Sequence, residues 1–163
     1  MNDSVLVLCD SHISIYKHEC QKKIIDFITE RQNSYGTLVL LGDIFDFYFD
    51  YENFIPKNYF PLLNALKNLS KSKKIYITAG NHDMWLGRFF DEFIEAESKT
   101  SSFVLDFSGK KYFMSHGDEF EEKSIFRKIA DKLLKSGTAI KLFSILHPEL
   151  AYRIGDAVSK MTL

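Results

Sequence analysis

Short apolar runs alternate with helical stripes through the first half of the chain. Val5–Cys9 (VLVLC) is five apolar residues ending at Asp10, and it reads as a buried strand. Cys20, Ile24, Phe27 and Ile28 then fall on one face of a helix. Thr37–Leu41 (TLVLL) is a second buried strand, closed by Gly42-Asp43. Leu62, Leu63, Leu66 and Leu69 mark a second helix, with Pro61 suited to its first turn. Ile75–Thr78 is a third strand, running into Ala79-Gly80-Asn81-His82-Asp83. This order predicts right-handed crossovers and a mainly parallel sheet.

Beyond Asp83 the period changes. Ser102–Phe107 and Lys111–Ser115 are rich in strand formers, and Ser108-Gly109-Lys110 between them signals a hairpin. The second of these strands runs into His116-Gly117-Asp118, and everything after reads as helix. Ile125, Ile129 and Leu133 form one stripe, flanked by Phe126, Ala130 and Leu134. A second stripe is Ala139, Leu142, Phe143 and Leu146, broken by His147-Pro148. Leu150, Ile154, Ala157, Val158 and Met161 make the last. No repeat or Pro/Gly/Ser-rich linker interrupts the pattern, so residues 1–163 are expected to form a single domain.

Composition narrows the class. A chain of 163 residues with 45% hydrophobic and 26% charged residues excludes a disordered or fibrous protein, and two cysteines exclude a disulfide scaffold. Cys9 and Cys20 are expected to be small buried residues in a reducing compartment. The net charge of -1 gives no reason to expect nucleic acid as a partner. The N-terminus has no secretory pattern and no apolar run reaches 18 residues, so the expected location is cytoplasmic. Charge is uneven, with eight basic against five acidic residues from Glu121 onward, which leaves about -4 for the rest.

Four strand ends carry side chains of the metal-ligating type: Asp10-Ser11-His12, Gly42-Asp43, Gly80-Asn81-His82-Asp83 and His116-Gly117-Asp118. Ligands of open α/β sheets bind outside the carboxyl ends of the strands, so groups distant in sequence converge there. Oxygen donors (Asp10, Asp43, Asn81) mixed with imidazoles (His12, His116) suit Mn²⁺, Fe²⁺ or Zn²⁺ better than Ca²⁺. Each fragment alone is also an ordinary cap or turn; the four in this order carry the signal. Asp46 and Asp118 are candidates to support the ligands, Arg88 to touch a phosphate, and Trp85 either to wall the site or to pack. His18 is expected on an exposed helix start.

The order D-x-H, G-D, G-N-H-D, H-G-D resembles the calcineurin-like metallophosphoesterases. The resemblance implies an α/β (α+β) fold, a two-sheet β-sandwich flanked by helices, with two divalent ions at its strand ends and Mn²⁺ as the expected metal. It places Asp10 and His12 on the first ion, Asp43 between both, and Asn81 and His116 on the second. His82 would face the substrate phosphate and Asp83 would orient His82; Asn81, His82 and Arg88 would bind substrate. Gly42-Asp43-Ile44-Phe45-Asp46-Phe47, Gly80-Asn81-His82-Asp83-Met84-Trp85 and the Leu146-His147-Pro148 element are similar to the UDP-2,3-diacylglucosamine hydrolase branch. That branch implies cleavage of a nucleotide-linked acylated sugar to lipid X and UMP in lipid A synthesis. It also makes residues 119–163 a helical lid able to touch an anionic membrane surface, so peripheral attachment to the inner membrane is expected. A phosphodiesterase acting on a soluble nucleotide, and a non-catalytic partial domain binding lipid or a partner, are the alternative functions.

One departure matters. The family's last motif is G-H-x-H on a later strand, and this chain contains no H-x-H. The fold is therefore expected to be incomplete at the C-terminus, with each ion lacking one ligand. Three readings stay open: a fragment of an enzyme, a second chain supplying the missing strands and His pair, or water in the vacant positions.

Overall fold

A computed structural model describes residues 4–99, 102–118, 120, 122 and 136–162. The chain divides into two compact units, residues 1–116 and 117–163.

The first unit is built on a four-stranded parallel sheet in the order β1 (Val5–Leu8), β2 (Thr37–Leu41), β3 (Lys74–Thr78), β4 (Glu97–Lys99). The crossovers are α1 (His18–Glu30) and α2 (Phe60–Ser70), with Pro61 in the first turn of α2 as expected. Parallel strands need both faces covered. Leu38, Leu40, Ile75 and Ile77 on one face are at most 3% exposed, as are Ile28 of α1 and Leu62, Leu63, Leu66 and Leu69 of α2.

The other face meets a second sheet. β5 (Phe103–Phe107) and β6 (Lys110–Met114) pair antiparallel across Ser108-Gly109. Both turn residues have positive φ, 50° and 71°, the type I′ geometry that matches strand twist. Phe103, Leu105 and Phe107 point inward and pack with Val5, Val39, Leu41, Tyr76 and Met114, whereas Val104 between them is 58% exposed. Tyr76 and Phe103 stack at 5.3 Å. This is the two-sheet sandwich that the motif order implied.

Three details depart from expectation. β1 ends at Leu8, and Cys9 is exposed rather than buried; the thiol leaves the sheet where the chain turns toward Asp10. β4 was not foreseen, since Glu97-Ser98-Lys99 is short and polar, the composition that protects an edge strand. A π-helical turn at Phe90–Ile94 also carries no helical stripe.

In the second unit, α3 (Gly137–Ile145) is capped by the Ser136 hydroxyl, which accepts from Ala139 N at 3.2 Å. α4 (Pro148–Thr162) begins at the proline expected to separate the two helices. The helix expected over Ile125–Leu134, with Phe126, lies outside the described residues. Among the described residues no helix is long and apolar enough to cross a membrane.

Candidate metal centre

The parallel sheet ends at Leu8, Leu41 and Thr78, and the next residues carry the site. The turns after β1 and β2 run on as an irregular ladder. Asp10 N donates to Gly42 O (3.2 Å), His12 N to Asp43 O (3.0 Å) and Ile13 N to Ile44 O (2.9 Å). Asp10, His12 and Asp43 all sit in the left-handed region, at φ 48°, 43° and 50°. Side chains other than glycine enter it at a cost, and such residues cluster where surrounding structure fixes a functional site.

Asp43 is the hub. Its carboxylate, 5% exposed, lies 3.2 Å from His116 Nε2 and accepts from His82 N at 2.9 Å. Two groups of ligand atoms share it: Asp10, Asp43 and His116 in one, His12, Asp43 and His82 in the other, all within 4.8 Å inside each group. Asp43 thus belongs to both candidate groups; a bridging carboxylate at this position is what the family resemblance implies. His82 lies beside His12, with their rings in edge contact at 4.7 Å. Asn81 occupies the bend between Gly80 and His82 and is half-buried.

The imidazoles are oriented by carbonyls. His116 Nδ1 donates to Leu41 O at 3.1 Å, which leaves Nε2 for Asp43. His82 Nδ1 bonds Asp46 O at 3.3 Å, and the Asp46 carboxylate lies 3.5 Å from His12 Nδ1. Glycine makes room for the first arrangement: at Gly42, φ 76°, a Cβ would stand 2.5 Å from His116 Cγ.

Electrostatics follow from this packing. Burial pushes the Asp43 carboxyl up, but the His116 hydrogen bond and the His82 N–H outweigh it and hold it below the usual carboxylate range. The same bond to Asp43 raises His116 to about 9. Asp83 is wholly buried, and burial is the main reason its pKa rises to about 6. Its carboxylate accepts from Gly80 N (2.7 Å), Ile44 N (2.8 Å), Asp43 N (3.2 Å) and Phe45 N (3.2 Å). Asp83, the residue that the resemblance gives the role of orienting His82, accepts these four backbone N–H groups. Arg88 is 88% exposed and lies 3.6 Å from Glu92. Trp85 meets Phe47 and Phe49 edge-on.

The side chains suit divalent ions on their own chemistry. A carboxylate shared by two groups of imidazole and carboxylate donors is a typical bridging ligand. His12 Nδ1 is buried and makes no hydrogen bond, with the Asp46 carboxylate 3.5 Å away as its polar neighbour.

Comparison with known proteins identifies the family. Residues 4–158 match the family model described as calcineurin-like phosphoesterase, and the chain belongs to that family. Membership implies divalent metal ions at the phosphoesterase centre. Among curated relatives, the chain is similar to the UDP-2,3-diacylglucosamine hydrolase of Porphyromonas gingivalis, 26% identical over 94% of this chain and 63% of that protein. Proteins of the same name from Blochmanniella pennsylvanica (28% identical, 95% of this chain, 62% of the relative) and Aliivibrio fischeri (29% identical, 71% and 48%) also match. The chain therefore spans less than two thirds of the length of each of these relatives.

Proposed function

We propose that the chain carries the metal-binding half of a hydrolase that cleaves the pyrophosphate of UDP-2,3-diacylglucosamine, releasing UMP. The observation that carries this reading is the Asp43 carboxylate shared between the two ligand groups. The names of the relatives support the substrate.

Asp10 and His12 would hold one ion and Asn81 and His116 the other, with Asp43 on both; Mn²⁺ is the preferred metal. Divalent ions there would lower the pKa of a water and neutralise phosphoryl oxygens. The remaining work falls to the chain itself. His82, its Nδ1 held by Asp46 O, offers Nε2 to the phosphate and to the departing oxygen. Arg88, exposed and 3.6 Å from Glu92, would exchange that carboxylate for a substrate anion. α3 and α4 expose Ile140, Leu142, Ile145 and Leu150 beside Lys141 and Arg153, a composition suited to acyl chains and an anionic membrane surface on the cytoplasmic side. A second chain supplying strands and a His pair would complete the ligand sets.

The test is incubation with Mn²⁺ and UDP-2,3-diacylglucosamine, reading UMP. Release of UMP that Asp43→Ala and His116→Ala abolish is the expected result, and turnover that survives either change refutes the assignment. Equal rates on acylated and deacylated substrate would point instead to a soluble nucleotide. Metal content well below one ion per chain, with no turnover, would point to a non-catalytic domain.

A further inference from the structure

We propose that Asp83 is a positioning residue for the shared carboxylate of Asp43: the turns after β2 and β3 exchange aspartates, each accepting the backbone N–H groups of the other. This rests on the reading of Asp43 as a metal ligand.

The exchange starts from the backbone. β2 stops at Leu41, and two consecutive residues, Gly42 and Asp43, take positive φ. The N–H groups of Asp43, Ile44 and Phe45 then point to one spot, an anion-binding nest. All three residues are at most 3% exposed, so neither water nor a strand serves these donors. Asp83 fills the nest. One oxygen accepts from Asp43 N and Gly80 N, the other from Ile44 N and Phe45 N. In return, Asp43 Oδ1 accepts from His82 N in the turn that carries Asp83.

Two consequences follow. The backbone on both sides of Asp43 is fixed, and the His82 N–H on Oδ1 sets the direction of the carboxylate toward His116. An asparagine at position 83 would present an NH₂ group to N–H donors, because both oxygens are already used twice. The near-isosteric change Asp83→Asn is therefore a sharper probe than truncation.

The experiment combines amide hydrogen exchange of the metal-free protein with Mn²⁺ titration by calorimetry, on the full chain. In the wild type the amides of residues 43–45 and 80 should be strongly protected. Asp83→Asn should lose at least tenfold of that protection and at least tenfold in Mn²⁺ affinity, measured well below its melting temperature. Leu66→Ala, a core change remote from these turns, should lower the melting temperature yet leave Mn²⁺ affinity unchanged. Rapid exchange of residues 43–45 in the wild type overturns the proposal, even if no variant folds. So does an Asp83→Asn protein with wild-type affinity, or an equal affinity loss in Leu66→Ala. Failure of the wild type to bind Mn²⁺ would sink the metal reading, while the exchange data would still decide the aspartate exchange.

Discussion

Replacing Gly80 by alanine tests how closely the two ligand turns approach. The change adds one methyl group where φ is unremarkable, so no left-handed strain is involved. A Cβ there would overlap Asp43 Oδ1, stand 2.6 Å from Asp43 N and 2.8 Å from Asp43 Cγ. Ordinary contact begins at 3.4 Å, so the carboxylate carbon must retreat by at least about 0.6 Å, and the bonded oxygen by more. Metal–ligand distances tolerate only ~0.2 Å. The shared ligand should therefore fall out of register, and Mn²⁺ affinity should drop by more than the ~10–100-fold typical of losing a supporting group. Because the methyl also meets backbone, stability should fall by ~2–3 kcal/mol, within the range of a strained core substitution. Calorimetric titration and urea denaturation read the two effects separately. A Gly80→Ala protein that binds Mn²⁺ like the wild type would refute the placement of Asp43 at the centre.

His116 predicts a pH dependence of the metal-free protein. Its pKa stands at about 9 against an ordinary 6.5, so the stabilisation is complete below pH ~6.5 and is lost as pH rises through about 9. The shift alone sets a ceiling of ~3 kcal/mol, and partial screening by solvent brings the expected loss to ~1–2 kcal/mol. Denaturation at pH 6 and pH 9.5 should show it, and His116→Gln should flatten the difference; an equally steep curve in that variant refutes the ion pair. Metal loading near neutral pH should release a proton from His116, read as a buffer-dependent heat; a heat independent of the buffer argues against the pair. Gly109→Ala meets no atom within 4 Å, so its cost should be conformational only, ~1 kcal/mol from φ 71°, with no change in metal affinity.

Both the sheet and the site were largely legible, for one reason. In a parallel sheet covered on both faces the strands are continuous apolar runs, so their ends are marked by the first polar residue. Asp10, Asp43 and the Gly80–Asp83 turn stand at those ends, and His116 stands just beyond β6. The missed elements lack that contrast: β4 is three polar or charged residues, and the turn at Phe90–Ile94 has no periodic stripe. Cys9 misled because an apolar residue at the end of a strand run can point either way once the strand stops. The resemblance assigns Asp83 only to His82, its neighbour in the chain. Its carboxylate turns 40 positions back, to Asp43 N, and no local pattern encodes that reach.

The strain at the ligands says when the site is built. Left-handed backbone at Asp10, His12 and Asp43 costs up to roughly 1–2 kcal/mol each. The backbone bonds from Asp10, His12 and Ile13 to the turn after β2, and the four N–H groups on Asp83, are all made by the chain. They are anchored in turn by buried neighbours, Ile13, Ile44 and Phe45, each at most 1% exposed. The energy that holds the ligands in an uncommon conformation thus comes from the core beneath them. On the reading of these residues as metal ligands, metal would bind to an arrangement that the core already supports. Removing metal should lower the protein's stability by simple mass action without unfolding the turns.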